Sequence, residues 1–295
     1  MIAQGALFAA ETMIIHHIGS RVSTMQLALI RGTAGLALAV IFARHIGMAV
    51  IRTRQLPLHV LRGVVSLFYL WVMIYSFSHL PLADATAISY TQVAYIALFS
   101  AVILHEPVTW SRWAAAAVAI VGALLIAKPA FPGWNSAYLI ALCGTSLNGL
   151  SFVLNRYLQR ADTEATTMFY TNAVLVVGNS PALLLAGLPS PETYPWLPGL
   201  LLLGPLGMYL GIVAVKHAST SMLGPYTSLR LVIGVFAGLV IFYEVPDVFS
   251  TFGVILILAS CMLASRVSIG RRAISAYRGR SSSAVNYGAQ RAANT

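Results

Sequence analysis

Residues 79–107 read HLPLADATAISYTQVAYIALFSAVILHEP, and residues 217–246 read HASTSMLGPYTSLRLVIGVFAGLVIFYEVP. Each stretch opens on a histidine, runs through one apolar segment and closes on a glutamate before a turn. His217 lies 138 residues after His79, and Glu244 lies 138 after Glu106. At the same offset Val102-Ile103 meets Val240-Ile241. Another apolar segment follows each glutamate, ending at Lys128 and at Arg266, again 138 apart. Weak internal symmetry of this kind marks a duplicated helical unit.

Working outward, apolar runs fall at about 2–18, 25–43, 60–79, 84–104, 110–127, 136–156, 166–186, 198–216, 221–243 and 248–265. Of 295 residues, 58% are apolar and 9% charged. Soluble domains carry about 25% charged residues, which excludes a single water-soluble globule. A spanning helix needs roughly 20 apolar residues, so about ten spans fit and no large soluble domain does. The expected fold is an all-α membrane protein of ten transmembrane helices in two five-helix units, residues 1–128 and 129–266. Residues 267–295 read as a basic, disordered cytoplasmic tail. The first run lacks a basic n-region, and Glu11, His16 and His17 interrupt it, so it reads as a span and not as a signal peptide.

The net charge of +10 points to topology here, not to nucleic acid. With the N-terminus cytoplasmic, 14 Lys and Arg fall on the inner side: Arg44, Arg52, Arg54, Arg62, Arg112, Arg156, Arg160, Lys216 and six tail arginines. The outer side holds Arg21 and Lys128, while Arg31 and Arg230 lie inside runs. This asymmetry places both termini in the cytoplasm and requires an even number of spans. Five spans per unit is odd, so the second unit enters the membrane inverted. Two inverted units can exchange roles, opening a central site to either side.

The segment from His79 to Tyr90, together with Leu104-His105-Glu106-Pro107, resembles the drug/metabolite transporter superfamily, EamA type. The resemblance covers residues 1–266. It implies ten helices in two repeats, with Glu106 and Glu244 ending the fourth helix of each, and Arg31 as the second-helix arginine. The family often has a proline thirteen residues before that glutamate. Val93 and Leu231 stand there, so straighter fourth and ninth helices are expected. The aromatic and small-polar pattern usual in the first helix is replaced by Glu11-Thr12-Met13.

A charge at the bilayer centre costs several kcal/mol and marks a partner or a wet cavity. Glu11 and Arg31 each lie about ten residues from the first turn, so an antiparallel hairpin brings both to a depth of about 15 Å. They can form an ion pair. Arg230 also lies near mid-depth, with Tyr226 four positions before it on one face. Ser89 and Gln92 share a face of the fourth span, and Asn148 is central in the sixth. These seven residues are the expected substrate site, lining a polar cavity between the halves. Two arginines against one glutamate favour a carboxylate-bearing, anionic or zwitterionic metabolite. A membrane-embedded Glu is also a candidate proton carrier, whereas a purely structural Glu11–Arg31 pair would carry none. Glu106 and Glu244, before turns, read as structural or gate-stabilising.

Other signals count for less. His105-Glu106 lacks the second histidine of a zinc site, because Thr109 stands there. His16 and His17 read as interfacial, and His79 and His217 as helix-end residues. Cys143 and Cys261 read as small, unpaired packing residues. No phosphate loop, dinucleotide fingerprint or Ser/His/Asp set is present, so no cofactor is expected and secondary transport is the natural mechanism. The alternative is a membrane-embedded enzyme acting on a lipid or isoprenoid, which needs clustered carboxylates that these eight scattered acids do not supply. Gly207-xxx-Gly211 and Gly234-xxx-Gly238 suit packing inside the bundle, with homodimerisation as the other use. The expected partners are a metabolite and membrane lipids, the latter through the basic tail at about 1 kcal/mol per charge. The expected location is the inner membrane.

Overall fold

The computed structural model describes residues 2–47, 51–105, 109–128, 135–187, 189–217 and 229–262. Regular structure among them is helical: α1 Ile2–Ile18, α2 Thr24–Ile46, α3 Leu56–His79, α4 Leu82–Tyr90, α5 Gln92–Ile103, α6 Trp110–Ala127, α7 Ala137–Leu158, α8 Glu164–Asn179, α9 Pro181–Leu185, α10 Leu197–His217, α11 Leu229–Val240 and α12 Val248–Met262. A 3-10 turn, Pro191–Trp196, precedes α10. Thr24–His45, Leu56–His79, Leu82–Ile103 and Ala137–Leu158 are long and apolar enough to cross a membrane. Large apolar side chains such as Phe68, Val102, Val177, Phe236 and Phe252 stand exposed on the outer faces of their helices. Such a belt suits lipid and not water, and the chain is a multi-pass membrane protein.

Local chemistry sets the helix ends. Ser23 caps α2 in a reciprocal box: its Oγ accepts the Gln26 N–H at 3.2 Å, and Gln26 Oε1 accepts the Ser23 N–H at 2.9 Å. Gln26 Nε2 also donates to the Gly187 carbonyl at 2.9 Å, which ties the start of α2 to the end of α9. Pro57 opens α3, where its missing N–H costs no hydrogen bond. Lys128 ends α6 in the left-handed conformation, with φ of 48°.

The fourth span departs from the straight helix expected of a stretch without proline. It breaks at Thr91, between α4 and α5. The Thr91 N–H bonds the Ile88 carbonyl three residues back, and its Oγ1 donates to the same carbonyl at 2.7 Å. Ser89 Oγ donates to the Thr86 carbonyl at 2.6 Å. Hydroxyls competing for backbone acceptors bend a helix as proline does. The Val93 side chain, and the chain before Leu229 in the ninth span, lie outside the described residues.

Helix packing follows a pattern. α3 packs on α7 and α8, and α10 packs on α1 and α2. α5 packs on α7, and α11 packs on α1. α2 meets α8, and α4 meets α11. α6 and α12 meet through glycines: a Cβ on Gly122 would lie 2.8 Å from the Gly253 carbonyl oxygen. Gly234 and Gly238 face Thr86 and Ala83 of α4, and Gly207 faces the Phe8 ring, so these glycines serve contacts within the bundle. Both cysteines are free, but Cys143 is exposed instead of packed.

Candidate functional site

The charges expected at mid-depth meet. Arg31 Nη1 of α2 lies 3.2 Å from Glu11 Oε1 of α1. The Glu11 side chain is 1% exposed, and that of Arg31 is 33% exposed. The pair has ion-pair distance without hydrogen-bond alignment, since Glu11 Oε1 has no hydrogen-bond partner. Gly204 makes room for the carboxylate: a Cβ there would sit 2.5 Å from Glu11 Oε1. Both charges border a cavity of about 120 Å³, lined also by Phe8, Thr12, Tyr69, Met73 and Phe77. A buried carboxylate beside a half-open guanidinium, walled by aromatic and thioether groups, can hold a small polar head with an apolar neighbour.

The other expected residues are placed differently. Asn148 Nδ2 of α7 donates to Gln92 Oε1 of α5 in a short hydrogen bond. Ser89, across the Thr91 break, bonds its own helix. None of these three lines the Glu11 cavity, whose described walls come from α1, α2 and α3. Among the described residues, the Glu11 cavity and the Gln92–Asn148 bond share no member. Tyr226 and Glu106 lie outside the described residues, as does the side chain of Arg230, which falls in α11.

Glu244 joins three elements. Its Oε1 lies 3.0 Å from His16 Nε2, and its Oε2 accepts the Leu82 N–H, at the start of α4, at 2.7 Å. His16 Nδ1 lies 2.6 Å from the Phe77 carbonyl oxygen of α3. His16, in the last turn of α1, is thus held in a seam of the bundle, where facing the carboxylate compensates its burial.

Beside Glu244 opens a cavity of about 340 Å³, lined by Asp84, Lys128, Tyr138, Asp247 and Ser250 among others. Asp84 is 4% exposed and accepts from Tyr138 Oη at 2.7 Å and Ser250 Oγ at 3.4 Å. Lys128 Nζ reaches Asp247 Oδ1 at 2.5 Å. Burial alone would raise the Asp247 carboxyl, but the Lys128 ammonium and the Ser250 donors hold it at about 2, below the ordinary 3.8. Sequence reasoning missed Asp84, Tyr138, Ser250 and the His16 link. An acid at the start of an apolar run was the visible signal for Asp84 alone.

The opposite end of α3, beside the start of α8, carries another polar group. Asp162 Oδ2 accepts from Thr53 Oγ1 at 2.7 Å and lies 3.0 Å from His59 Nε2, a fully buried ring. Among the described residues no group of three or more His, Cys, Asp and Glu is placed to hold a metal ion.

Comparison with known proteins gives a consistent answer. A family model described as the EamA-like transporter family matches residues 1–128 and 135–266. An S-adenosylmethionine uptake transporter of Rickettsia bellii is 24% identical over 86% of this chain and 88% of its own. The pseudopaline exporter CntI of Pseudomonas aeruginosa is 27% identical over 89% and 93%. A riboflavin transporter of Brucella anthropi is 26% identical over 92% and 98%. One solved crystal structure shares the fold, with a TM-score of 0.64 at 20% identity, over 90% of this chain and 96% of that one.

Proposed function

The chain belongs to the EamA-like transporter family, and on that premise we propose that it is a secondary transporter moving a small, carboxylate-bearing or zwitterionic metabolite by alternating access. The Glu11–Arg31 pair beside its cavity carries this reading. Ions are kept in a membrane interior where they meet a substrate or each other, and here the guanidinium stays partly open to the cavity. The relatives are named for solutes as different as S-adenosylmethionine, pseudopaline and riboflavin, in uptake and in export, so the family supports a metabolite without fixing which one.

Ten spans in two inverted units are the architecture of this proposal. Exchanging first-unit spans with their second-unit counterparts turns the α3–α7 contact into α10–α1, α3–α8 into α10–α2, and α5–α7 into α11–α1. The α2–α8 and α4–α11 contacts map onto themselves. A two-fold pattern of helix contacts is what inverted repeats produce. The family model also matches in two stretches, one on each unit. Arg230 would supply the second cation of the site, and both termini would face the cytoplasm at an inner membrane.

Thermal stabilisation of the purified protein by a metabolite panel tests the substrate class. A ligand at 100 times its Kd adds about 2.7 kcal/mol. A carboxylate-bearing metabolite should stabilise the wild type, and Arg230→Gln should lose this response more than any response to neutral solutes. Equal loss for both classes would remove the anionic preference. Stabilisation by lipid alone would favour the embedded enzyme.

A further inference from the structure

We propose that His16 and Glu244 share one proton that locks one end of the helix bundle, making this pair a proton-binding site whose deprotonation loosens the adjacent vestibule. The proton count follows from the partners. His16 Nδ1 faces the Phe77 carbonyl oxygen at 2.6 Å, and a carbonyl only accepts, so Nδ1 carries hydrogen. Nε2 faces Glu244 Oε1 at 3.0 Å. The second carboxylate oxygen already accepts the Leu82 N–H at the start of α4, where a helix N-terminus favours the anion. Without a proton between Nε2 and Oε1, two lone pairs would oppose each other at a site 15% and 23% exposed. The satisfied state is an imidazolium between a carbonyl and a carboxylate.

His59 marks the contrast. Its Nε2 also faces a carboxylate, that of Asp162, but its Nδ1 has no hydrogen-bond partner. A neutral ring with hydrogen on Nε2 satisfies that contact, so no second proton is called for.

The backbone aims Glu244 at this place. Tyr243 takes the left-handed conformation, with φ of 56°, and the Glu244 N–H bonds the Gly238 carbonyl at 2.9 Å. The Phe242 N–H closes the end of α11 on the Ala237 carbonyl at 3.3 Å, and the bond from Glu244 turns the carboxylate back toward α4. Gly238 leaves the room: a Cβ there would lie 3.3 Å from Glu244 Oε2.

The surrounding charges do not substitute for the shared proton. His17 on α1 packs against Trp196, and His79 on α3 stacks on Tyr75. Asp84 on α4 is held by Tyr138 of α7 and by Ser250. Lys128 and Asp247 pair with each other, Arg21 pairs with Glu192, and Glu11 pairs with Arg31. Among the described residues, His16 is the ion-pair partner of Glu244. The lock joins α1, the end of α3, the start of α4 and the turn after α11, and the 340 Å³ cavity opens beside it. Calling this end the outer one rests on the proposed orientation, but the proton count does not.

Nitrogen-15 NMR of histidine-labelled, full-length protein reads the ring directly and needs no transport substrate, so its failure is separate from failure of the transport reading. At pH 7.5 a free histidine is about 10% protonated. We expect both His16 ring nitrogens to carry hydrogen there, and the ring to become neutral in Glu244→Gln. A neutral ring in the wild type, or a charged ring in Glu244→Gln, would overturn the proposal. A second measurement stands if Glu244→Gln does not fold. In a Cys143→Ser, Cys261→Ser background, the thiol labelling rate of Ala83→Cys is taken relative to that of exposed Ser136→Cys. The ratio should rise about fivefold or more as the pair loses its proton, a typical coupling between linked events. His16→Gln should abolish the pH step. A flat ratio with His16 present would overturn the lock.

Discussion

A carboxylate with 1% of its side chain exposed needs its cation more than that cation, one-third exposed, needs the carboxylate. The two single substitutions at the Glu11–Arg31 pair should therefore differ. Arg31→Gln leaves Glu11 buried and unpaired, at a cost of up to about 3–5 kcal/mol. Glu11→Gln leaves a guanidinium that can still reach the cavity, and should cost less. Thermal melts of the purified variants check this order, and a larger loss in Glu11→Gln would contradict the burial argument. The Lys128–Asp247 pair should show its own pH signature. The Asp247 carboxyl sits at about 2 in the folded chain against an ordinary 3.8. Its contribution is complete above 3.8 and disappears as pH falls through 2. Asp247 is 47% exposed, so solvent screening holds that contribution under about 1 kcal/mol. Lys128→Met should lower the melting temperature slightly at neutral pH, with the gap to wild type closing in acid. The Glu11–Arg31 meeting was legible in the sequence because rise per residue fixes depth in a hairpin. The His16–Glu244 contact was not, because it depends on helix rotation and on a left-handed turn at Tyr243.

At the scale of elements, apolar runs and turn residues located the helix ends that fall among the described residues to within a few positions. The break at Thr91 was hidden, because serine and threonine hydroxyls bend a helix only where their rotamers reach a backbone carbonyl. On either side of Thr91, Ser89 donates to the Thr86 carbonyl of its own helix and Gln92 meets Asn148 of α7. The glycine seam between α6 and α12 offers a direct test of close packing. Gly122→Ala would press a methyl against the Gly253 carbonyl, which is backbone and cannot swing aside. A loss of about 1–3 kcal/mol is expected, read as a lower melting temperature. An unchanged melt would show that the seam is looser than 2.8 Å implies.

The whole molecule joins a membrane-wide scarcity of charge to a two-fold pattern of contacts. The proposed repeat rests on four landmarks at one offset and not on identity along the units, since lipid-facing positions accept almost any apolar side chain. The excess of arginine on one side predicts orientation. A fluorescent protein fused to the C-terminus should glow in bacterial cells, and alkaline phosphatase fused there should be inactive. The reverse pattern would contradict the proposed cytoplasmic C-terminus. The central claim is that the Glu11–Arg31 pair handles substrate and is not merely structural. The most direct test reconstitutes wild type and the neutral double variant Glu11→Gln, Arg31→Gln into liposomes and follows uptake of a carboxylate-bearing metabolite. The double variant removes both charges together, so neither is left buried alone. We expect a folded protein whose uptake falls by about tenfold or more, the worth of one charged contact of about 1.4 kcal/mol or greater. Uptake equal to wild type would reduce the pair to a structural tie and contradict the account.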